Sequence, residues 1–425
     1  MEENKQFRKN FIWNTLGTGF NAFNSLFFMI IATRVNGVSQ AGIFSIAFST
    51  ACILFAVGIY AGRIYQVTEL DKNISDKDFI INRIITSLSM IILLIIFCIF
   101  KGYEKEKFLI FLLLTIYKAL EAFSDVIYGV LQKNNKLEIA GKSLFAKSIF
   151  SVIIFTVLNI LTHNMTISIV AMIILCICII CFYDFRKAYR YIDLKIKVNS
   201  KNVLKIFKAG FFVFAISFLG MYVVNAPKYS IDTYLENDIQ TIFGIIVMPA
   251  TIVSLVAQFL IHPYLNNILE LYKKRDLVNF KKLVFKLISM IFAFGVISTL
   301  FLYLFGTQIL GIIYGLDLSM YKVQLAIIII ASTLYTIGTV YSSILTTVRE
   351  TFSQFIIYIG VAIGAYIISN LMTSKLGLNG SIISYFCIMI VQSLAYMIYT
   401  NVKLKKIFAS KEENDEKSDS CNSGI

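Results

Sequence analysis

The sequence predicts an all-α polytopic membrane protein, with twelve transmembrane helices in two six-helix lobes. Three observations support this fold class: an apolar composition, twelve long apolar segments, and one large basic segment midway along the chain. Of the 425 residues, 58% are hydrophobic and 15% are charged, whereas soluble domains are about 45–50% apolar and about 25% charged. With a mean hydropathy of +0.76, the chain cannot be a set of soluble domains.

Twelve segments are apolar over the length of about 20 residues that a helix needs to cross the hydrocarbon. The connections between them are too short to hold a folded domain. The segments are 11–33, 41–62, 80–100, 108–130, 143–161, 166–184, 209–231, 239–261, 284–305, 321–346, 354–373 and 380–401.

The distribution of cations predicts how these helices are oriented. The chain has 39 Lys and Arg against 25 Asp and Glu, a net charge of +14. We count a cation within about five residues of a span end with the adjoining loop. If the N-terminus is cytoplasmic, 31 of the cations then belong to cytoplasmic segments, seven to outer loops and one, Lys118, to the middle of a span. Because cytoplasmic loops are enriched in Lys and Arg, we expect both termini in the cytoplasm. The positive charge then faces anionic membrane lipid, so we expect lipid as a partner and no nucleic acid.

The largest basic loop lies between the sixth and seventh spans and divides the chain into two halves. We place an N-terminal lobe at 1–200, a C-terminal lobe at 201–410 and a disordered cytoplasmic tail at 411–425. Six spans in each half give both halves the same orientation, as in transporters built from two parallel repeats. The tail has mixed charge and no apolar periodicity, which is typical of disorder.

Proline marks the seventh and eighth spans. Pro227 lies in the seventh span, Pro249 lies in the eighth, and Pro263 follows the end of the eighth by two residues. Proline removes a backbone hydrogen bond inside a helix and kinks or breaks it. Together with Asn225, Pro227 predicts a helix break that lines a transport cavity. A simple kink that improves packing is the alternative.

The fourth span carries three charges on one helical face: Lys118, Glu121 and Asp125. Each charge at the centre of a bilayer costs roughly 2.5–3.5 kcal/mol on insertion scales, so such residues usually face a pathway. One hypothesis is that Glu121 and Asp125 couple transport to H⁺ or Na⁺, because two close carboxylates resist being ionised together. The alternative is structural: Lys118 pairs with Glu121, and Asp125 binds a neighbouring helix or a cytoplasmic gate.

A second group of charges lies at the ends of other spans. Lys228 and Asp232 lie near the outer end of the seventh span, and Arg34 lies at the outer end of the first. Arg63 lies at the inner end of the second span. Both arginines are also typical interfacial anchors. We add Asp232 to the ion-coupling candidates, and we predict no catalytic residue, no metal site and no cofactor other than a coupling ion.

Several segments of the sequence resemble those of a known protein family. The opening NFIWNTLGTGFNAFNSLFFMIIATRVNG, followed by AGIFSIAFS and GIYAGRIYQVTE, resembles the polysaccharide-biosynthesis flippases. These belong to the multidrug/oligosaccharidyl-lipid/polysaccharide exporter superfamily. The resemblance continues in EAFSDVIYGVLQKNNKLEIAGKS, NAPKYSIDTYL and ILGIIYGLD and covers nearly all of the chain.

The resemblance implies a V-shaped, alternating-access transporter in a bacterial cell membrane. Its implied substrate is an undecaprenyl-diphosphate-linked oligosaccharide repeat unit, moved from the inner to the outer leaflet for a capsule, an O-antigen-like polymer or a wall polymer. A polysaccharide polymerase and glycosyltransferases are then the expected protein partners. The diphosphate needs cations, and our candidates are Lys118, Lys228, Arg34 and Arg63.

Two other classes of function compete with this interpretation. A cation-coupled drug or small-molecule antiporter of the same superfamily would favour an acidic cavity, whereas here cations offset Glu121 and Asp125. A membrane-embedded polysaccharide polymerase would be an enzyme, and it would need a large outer loop with catalytic polar groups. The outer connections of this chain are short, so we expect no enzyme.

Overall fold

The computed structural model describes residues 2–60, 62–69, 74–192 and 197–422, and for 2–4, 259, 260, 262 and 405–422 it describes the backbone alone. All regular structure in these ranges is helical.

The described residues form twelve membrane helices, as the sequence predicts. Ten helices are long and apolar enough to cross a membrane. One of the ten contains two spans, because its backbone turns at Gly377, where φ is 58°. The helix Lys105–Lys133 is a further span, in which charged residues interrupt the apolar sequence.

We number these helices α1 to α12 in chain order. They are α1 (Glu2–Ile31), α2 (Val38–Ile59), α3 (Asp76–Lys101), α4 (Lys105–Lys133), α5 (Leu137–Thr162), α6 (Met165–Ile179), α7 (Ser200–Tyr234), α8 (Asn237–Ile261), α9 (Leu277–Phe301), α10 (Lys322–Thr347), and α11 and α12 (351–376 and 378–422, the two arms of Thr351–Asn422). π-helical turns follow α1, α6 and α9 at Ala32–Asn36, Ile180–Phe185 and Leu302–Gly306.

The end of α12 differs from the predicted disorder. The helix continues to Asn422, so residues 411–422 are helical. The segment is rich in Lys and Glu, which favour helix. A helix that is already formed also propagates more easily than a new one nucleates. Residues 423–425 of the predicted tail lie outside the described residues.

The helices pack as two compact units. Unit 1 comprises Met1–Gly244 with Ile313–Gly315, and unit 2 comprises Ile245–Ile312 with Leu316–Ile425. The boundary in packing therefore falls inside α8, whereas the sequence places the boundary between lobes at residue 200. The reason is that α7 packs against α2 and α3 of the first half.

The central helix of unit 1 is α2. Its most apolar window is 83% buried, whereas the corresponding windows of α1, α3 and α5 are 22–28% buried and the rest of each faces outward. Helices α4, α3 and α7 all pack against α2. A side chain on α2 can therefore meet residues from both halves of the sequence.

Hydrogen bonds along its length hold α7 in unit 1. At its start, the Asn199 backbone N–H and the Asn202 side chain donate to Asp78 of α3, at 2.9 and 3.0 Å. Near its outer end, the Tyr229 hydroxyl donates to Thr50 of α2 at 3.0 Å. These contacts fix the face that α7 presents to α2.

The predicted break at Pro227 and Asn225 is absent. Helix α7 is continuous from Ser200 to Tyr234 with Pro227 inside it. A proline removes only the bond from its own nitrogen. The Asn225 side chain donates back to the Met221 carbonyl oxygen at 2.9 Å and adds a bond to the same stretch of helix.

Unit 2 is built around α10. Helix α10 packs against α9 and against the two arms α11 and α12. Ser332 of α10 donates to the Ala250 carbonyl oxygen of α8 at 2.8 Å and lies 2.9 Å from the Ser254 hydroxyl. The predicted spans from 239 onward contain no Asp or Glu. Hydroxyl groups therefore make these polar contacts between the spans of unit 2, where unit 1 uses ion pairs.

Helices α1 and α5 cross closely in unit 1. A Cβ on Gly17 would lie 2.6 Å from the Gly141 carbonyl oxygen, and a Cβ on Gly141 would lie 2.6 Å from the Asn14 nitrogen. Neither backbone can yield without separating the helices. Small residues at such crossings are typical of membrane helices that approach closely.

We predict that Gly141→Ala lowers the free energy of unfolding by about 1–3 kcal/mol, the usual cost of overpacking. The matched control is Gly19→Ala, because a Cβ on Gly19 of α1 would meet nothing within 4 Å. Thermal unfolding of the two variants in detergent measures the difference. Equal melting temperatures would contradict this close crossing.

Candidate functional site

A basic site lies where α2, α4 and α7 meet in unit 1. We call it the central basic site and define it by Phe48, Ser49, Lys118, Glu121 and Lys228. Lys118 pairs with Glu121 within α4, with Nζ 2.7 Å from Oε2. Lys118 Nζ also lies 4.9 Å from the centre of the Phe48 ring of α2, a geometry that stabilises a cation.

Lys228 reaches the same site from α7. Its ammonium donates to the Ser49 hydroxyl of α2 at 2.7 Å. Cys52, one turn along α2 from Ser49, lies within electrostatic range of Lys118, Glu121 and Lys228. Each of the three charged groups therefore lies near Cys52.

The charge of Lys228 has no carboxylate partner in the described part of the chain. The ion pairs there do not include it, and its hydrogen bond goes to a neutral hydroxyl. A half-buried ammonium without an opposite charge keeps much of its desolvation cost. The central basic site therefore carries a net charge of about +1 and favours an anion.

Asp125 lies in a different group, which we call the arginine cluster: Asp125, Arg63 and Arg83. Arg63 Nε lies 3.7 Å from one oxygen of Asp125, and an Arg83 nitrogen lies 3.4 Å from the other. Arg83 also donates to the Ala122 carbonyl oxygen of α4. Two cations for one carboxylate give this cluster a net charge of about +1.

This placement corresponds to the structural alternative for the fourth span. Lys118 pairs with Glu121 within the helix, and Asp125 binds Arg83 of α3. The two carboxylates share one helical face, yet each has its own cationic partner.

Asp232 is bound at the outer end of α7. Its carboxylate accepts from Lys107 Nζ and from the Tyr103 hydroxyl, both at 2.5 Å. The Asp232 side chain is 1% exposed. The charge next to it is thus Lys107 of α4, and Asp232 forms no pair with Lys228, four residues away on its own helix. The contact ties α7 to the connection between α3 and α4.

Arg34 lies in the π-helical turn after α1 and is exposed. Its Nε donates to the Ile313 carbonyl oxygen at 2.6 Å. A guanidinium that binds a backbone carbonyl stabilises chain packing, and the structure places Arg34 in such a contact.

A fourth charged group, which we call the buried pair, is Lys147 of α5 with Asp184. They lie 2.5 Å apart, with side chains 4% and 0% exposed. Lys147 also donates to the Ser124 and Tyr128 hydroxyls of α4, at 2.6 and 3.1 Å. Asp184 lies in the π-helical turn after α6, and π-helical turns often occur at functional positions. The pair joins α4, α5 and α6.

Sequence reasoning missed the roles of Arg83, Lys107, Lys147 and Asp184. The first three were counted with the loops, and Asp184 stood at the last position of its predicted span. A signal for Lys147 was present: Ser143, Lys147 and Ser151 recur every four residues and mark a polar face of α5. Arg83 and Lys107 have no comparable pattern.

No group of three or more His, Cys, Asp or Glu that could hold a metal ion occurs among the described residues. The predicted coupling by H⁺ or Na⁺ rests on Glu121, Asp125 and Asp232, and each of these lies beside a cation.

We predict that Lys147→Met destabilises the protein by about 3–5 kcal/mol, because it leaves the Asp184 charge buried and unpaired. The double variant Lys147→Met, Asp184→Leu removes both charges and should recover most of the loss. Thermal unfolding in detergent measures both effects. A double variant no more stable than the single one would contradict the assignment of the loss to the unpaired carboxylate.

No protein-family model matches the chain, and neither does any curated protein sequence. Solved structures do match it. An inward-facing multidrug resistance MATE family transporter of the MOP superfamily aligns over 93% of this chain and 95% of its own, with a TM-score of 0.71 and 14% identity. A MATE transporter of Vibrio cholerae aligns over 95% and 99%, with a TM-score of 0.58 and 12% identity.

The lipid II flippase MurJ, in an inward closed conformation, aligns over 94% of this chain and 90% of its own. Its TM-score is 0.67 and its identity is 17%. The similarity therefore extends over nearly the whole chain, both to drug transporters and to a lipid flippase. The fold class predicted from the sequence is confirmed: the chain shares the fold of these MATE and MurJ structures.

Proposed function

We propose that the protein is a flippase for an undecaprenyl-diphosphate-linked oligosaccharide, used in the synthesis of a bacterial surface polysaccharide. One observation carries the proposal: Lys228, half-buried in the membrane region, faces the central basic site without a carboxylate partner. A diphosphate supplies the missing negative charge. Lysine suits this role because its compact ammonium binds phosphate as a point charge.

The balance of charge in unit 1 supports an anionic substrate. Four carboxylates of unit 1, which are Glu121, Asp125, Asp184 and Asp232, each form an ion pair. The cations that pair with them, together with Lys228, exceed the carboxylates by two. The excess is divided between the central basic site and the arginine cluster. We therefore assign Lys118 and Lys228 to binding of the diphosphate. Arg63 belongs to the arginine cluster, which is a second region of net positive charge.

Glu121 is the best-placed residue for coupling. In the proposed cycle the substrate phosphate competes with Glu121 for Lys118. A carboxylate that loses its cationic partner at low dielectric favours uptake of H⁺ or Na⁺. Release of the substrate restores the 2.7 Å pair between Lys118 and Glu121 and expels the ion. Asp125 and Asp232 keep their own partners throughout this cycle.

A drug antiporter is the second candidate, because a MATE transporter aligns with a TM-score of 0.71. Such a protein needs a carboxylate that can receive an organic cation. In the described membrane helices of unit 1, the carboxylates Glu121, Asp125 and Asp232 are all paired. The charge balance therefore favours the anionic substrate. The solved structures that align with this chain are transporters and a flippase. This similarity favours a transport function over that of a polysaccharide polymerase.

The direction of transport follows from the proposed orientation, with both termini cytoplasmic. The test is a single cysteine at Glu104 or at Lys201, in a chain without native cysteines, labelled in intact cells by an impermeant reagent. We expect labelling at position 104 alone, because position 201 lies in the most basic segment between the predicted spans. Labelling at 201 alone would reverse the orientation.

We predict that Lys228→Ala weakens binding of undecaprenyl diphosphate by about tenfold or more, because a hydrogen bond to a charged group contributes roughly 1.5–3 kcal/mol. Lys228→Arg keeps the charge and should lose less. Binding is measured on purified protein by thermal stabilisation against ligand concentration.

The matched control is Lys101→Ala. Lys101 of α3 also donates to a neutral hydroxyl, that of Thr233 at 2.7 Å, but it does so at the exposed end of the helix. The Lys101→Ala variant loses one positive charge from unit 1, as Lys228→Ala does, but at a position outside the central basic site. Equal losses in the Lys101 and Lys228 variants, or none in either, would overturn the assignment of Lys228.

A further inference from the structure

A cavity of about 410 Å³ lies within unit 2, between α9, α10 and α12. One face of α9 forms its apolar wall through Leu277, Phe280, Val284 and Ile288, which follow one another at helical spacing. Leu404 of α12 contributes to the opposite wall. The volume is within the roughly 300–1,000 Å³ of small-molecule sites, and the apolar lining suits a hydrocarbon chain.

The polar groups of the cavity are few. The Tyr341 hydroxyl of α10 interacts with the Asn401 side chain of α12. Asn401 is exposed and supplies an amide donor. Lys281, on the first turns of α9, also lines the cavity and is exposed. A cation and an amide thus lie beside an apolar cavity.

Lys281 differs from the other cations near this end of unit 2. Lys403 is paired with Glu350 at 2.9 Å, and Lys286 Nζ lies 5.6 Å from the centre of the Tyr264 ring. Lys281 forms no ion pair with a described carboxylate. The segment 270–286 is itself strongly basic, so this end of the unit attracts anionic lipid.

We propose that this cavity binds one anionic glycerophospholipid of the surrounding membrane. An acyl chain occupies the apolar wall of α9, and the phosphate receives donors from Lys281 and the Asn401 amide. Basic pockets between membrane helices bind anionic headgroups in this way. The lipid joins α9 to α10 and α12, where protein atoms leave a gap. The inference concerns unit 2 and does not depend on the substrate proposed for the central basic site.

The test uses the single tryptophan of the chain. Trp13→Phe removes it, and Phe285→Trp places a reporter at an exposed position that lines the cavity. The full chain is reconstituted in phosphatidylcholine vesicles that contain increasing fractions of brominated phosphatidylglycerol or brominated phosphatidylcholine. Bromine quenches the reporter when a lipid chain enters the cavity.

We expect brominated phosphatidylglycerol to quench at a mole fraction about fivefold lower than brominated phosphatidylcholine, the ratio that one cation near an anionic lipid provides. Lys281→Gln should abolish this preference. Lys282→Gln is the matched control, because Lys282 neighbours Lys281, is exposed and does not line the cavity. A second variant, Val284→Phe, fills the cavity and should reduce quenching by both lipids.

Three results would overturn the proposal. The first is equal quenching by the two headgroups in the reporter chain. The second is the same loss of preference in the Lys281 and Lys282 variants. The third is displacement of brominated phosphatidylglycerol by undecaprenyl phosphate at a lower concentration than by unlabelled phosphatidylglycerol, which would assign the cavity to a polyprenyl chain.

Discussion

The cost of burying a charge in the membrane organises unit 1. A carboxylate or ammonium in hydrocarbon needs an opposite charge or water. The carboxylates of Glu121, Asp125, Asp184 and Asp232 each have a cation within ion-pair distance. Three of these contacts join different helices: Asp125 to Arg83, Asp184 to Lys147 and Asp232 to Lys107. Once these pairs are formed, Lys228 is left beside a neutral serine. We infer that the missing opposite charge belongs to the substrate.

The packing of α2 makes this arrangement possible. Because α2 is buried on nearly all sides, its Phe48 and Ser49 can face α4 and α7 together. Helix α4 presents Lys118 and Glu121 to α2, and α7 presents Lys228. The contacts of Asp78 with the start of α7 and of Asp232 with Lys107 fix both ends of α7. A cation on the second half of the sequence therefore reaches a site on the first half.

Much of the fold could be predicted from the sequence, because nearly every span is a long apolar segment that hydropathy identifies; α4, with its charges, is the exception. The three charges of α4 could also be found, since a charge inside an apolar segment is conspicuous. The partners Arg83, Lys107 and Lys147 were missed, because a charge near the end of a span looks like a loop residue until packing shows its ion-pair partner. The continuity of α7 at Pro227 could not be predicted either, since a helix tolerates one lost bond when its neighbours support it.

The sign of the transported charge is the central claim, and reconstituted transport tests it most directly. Proteoliposomes containing the full chain are loaded either with a fluorescent undecaprenyl-diphosphate-linked oligosaccharide or with a cationic dye. The account predicts protein-dependent movement of the lipid-linked diphosphate between leaflets, inhibited by excess undecaprenyl diphosphate, and no protein-dependent movement of the dye. Protein-dependent efflux of the dye without movement of the lipid would contradict it and would identify a drug antiporter.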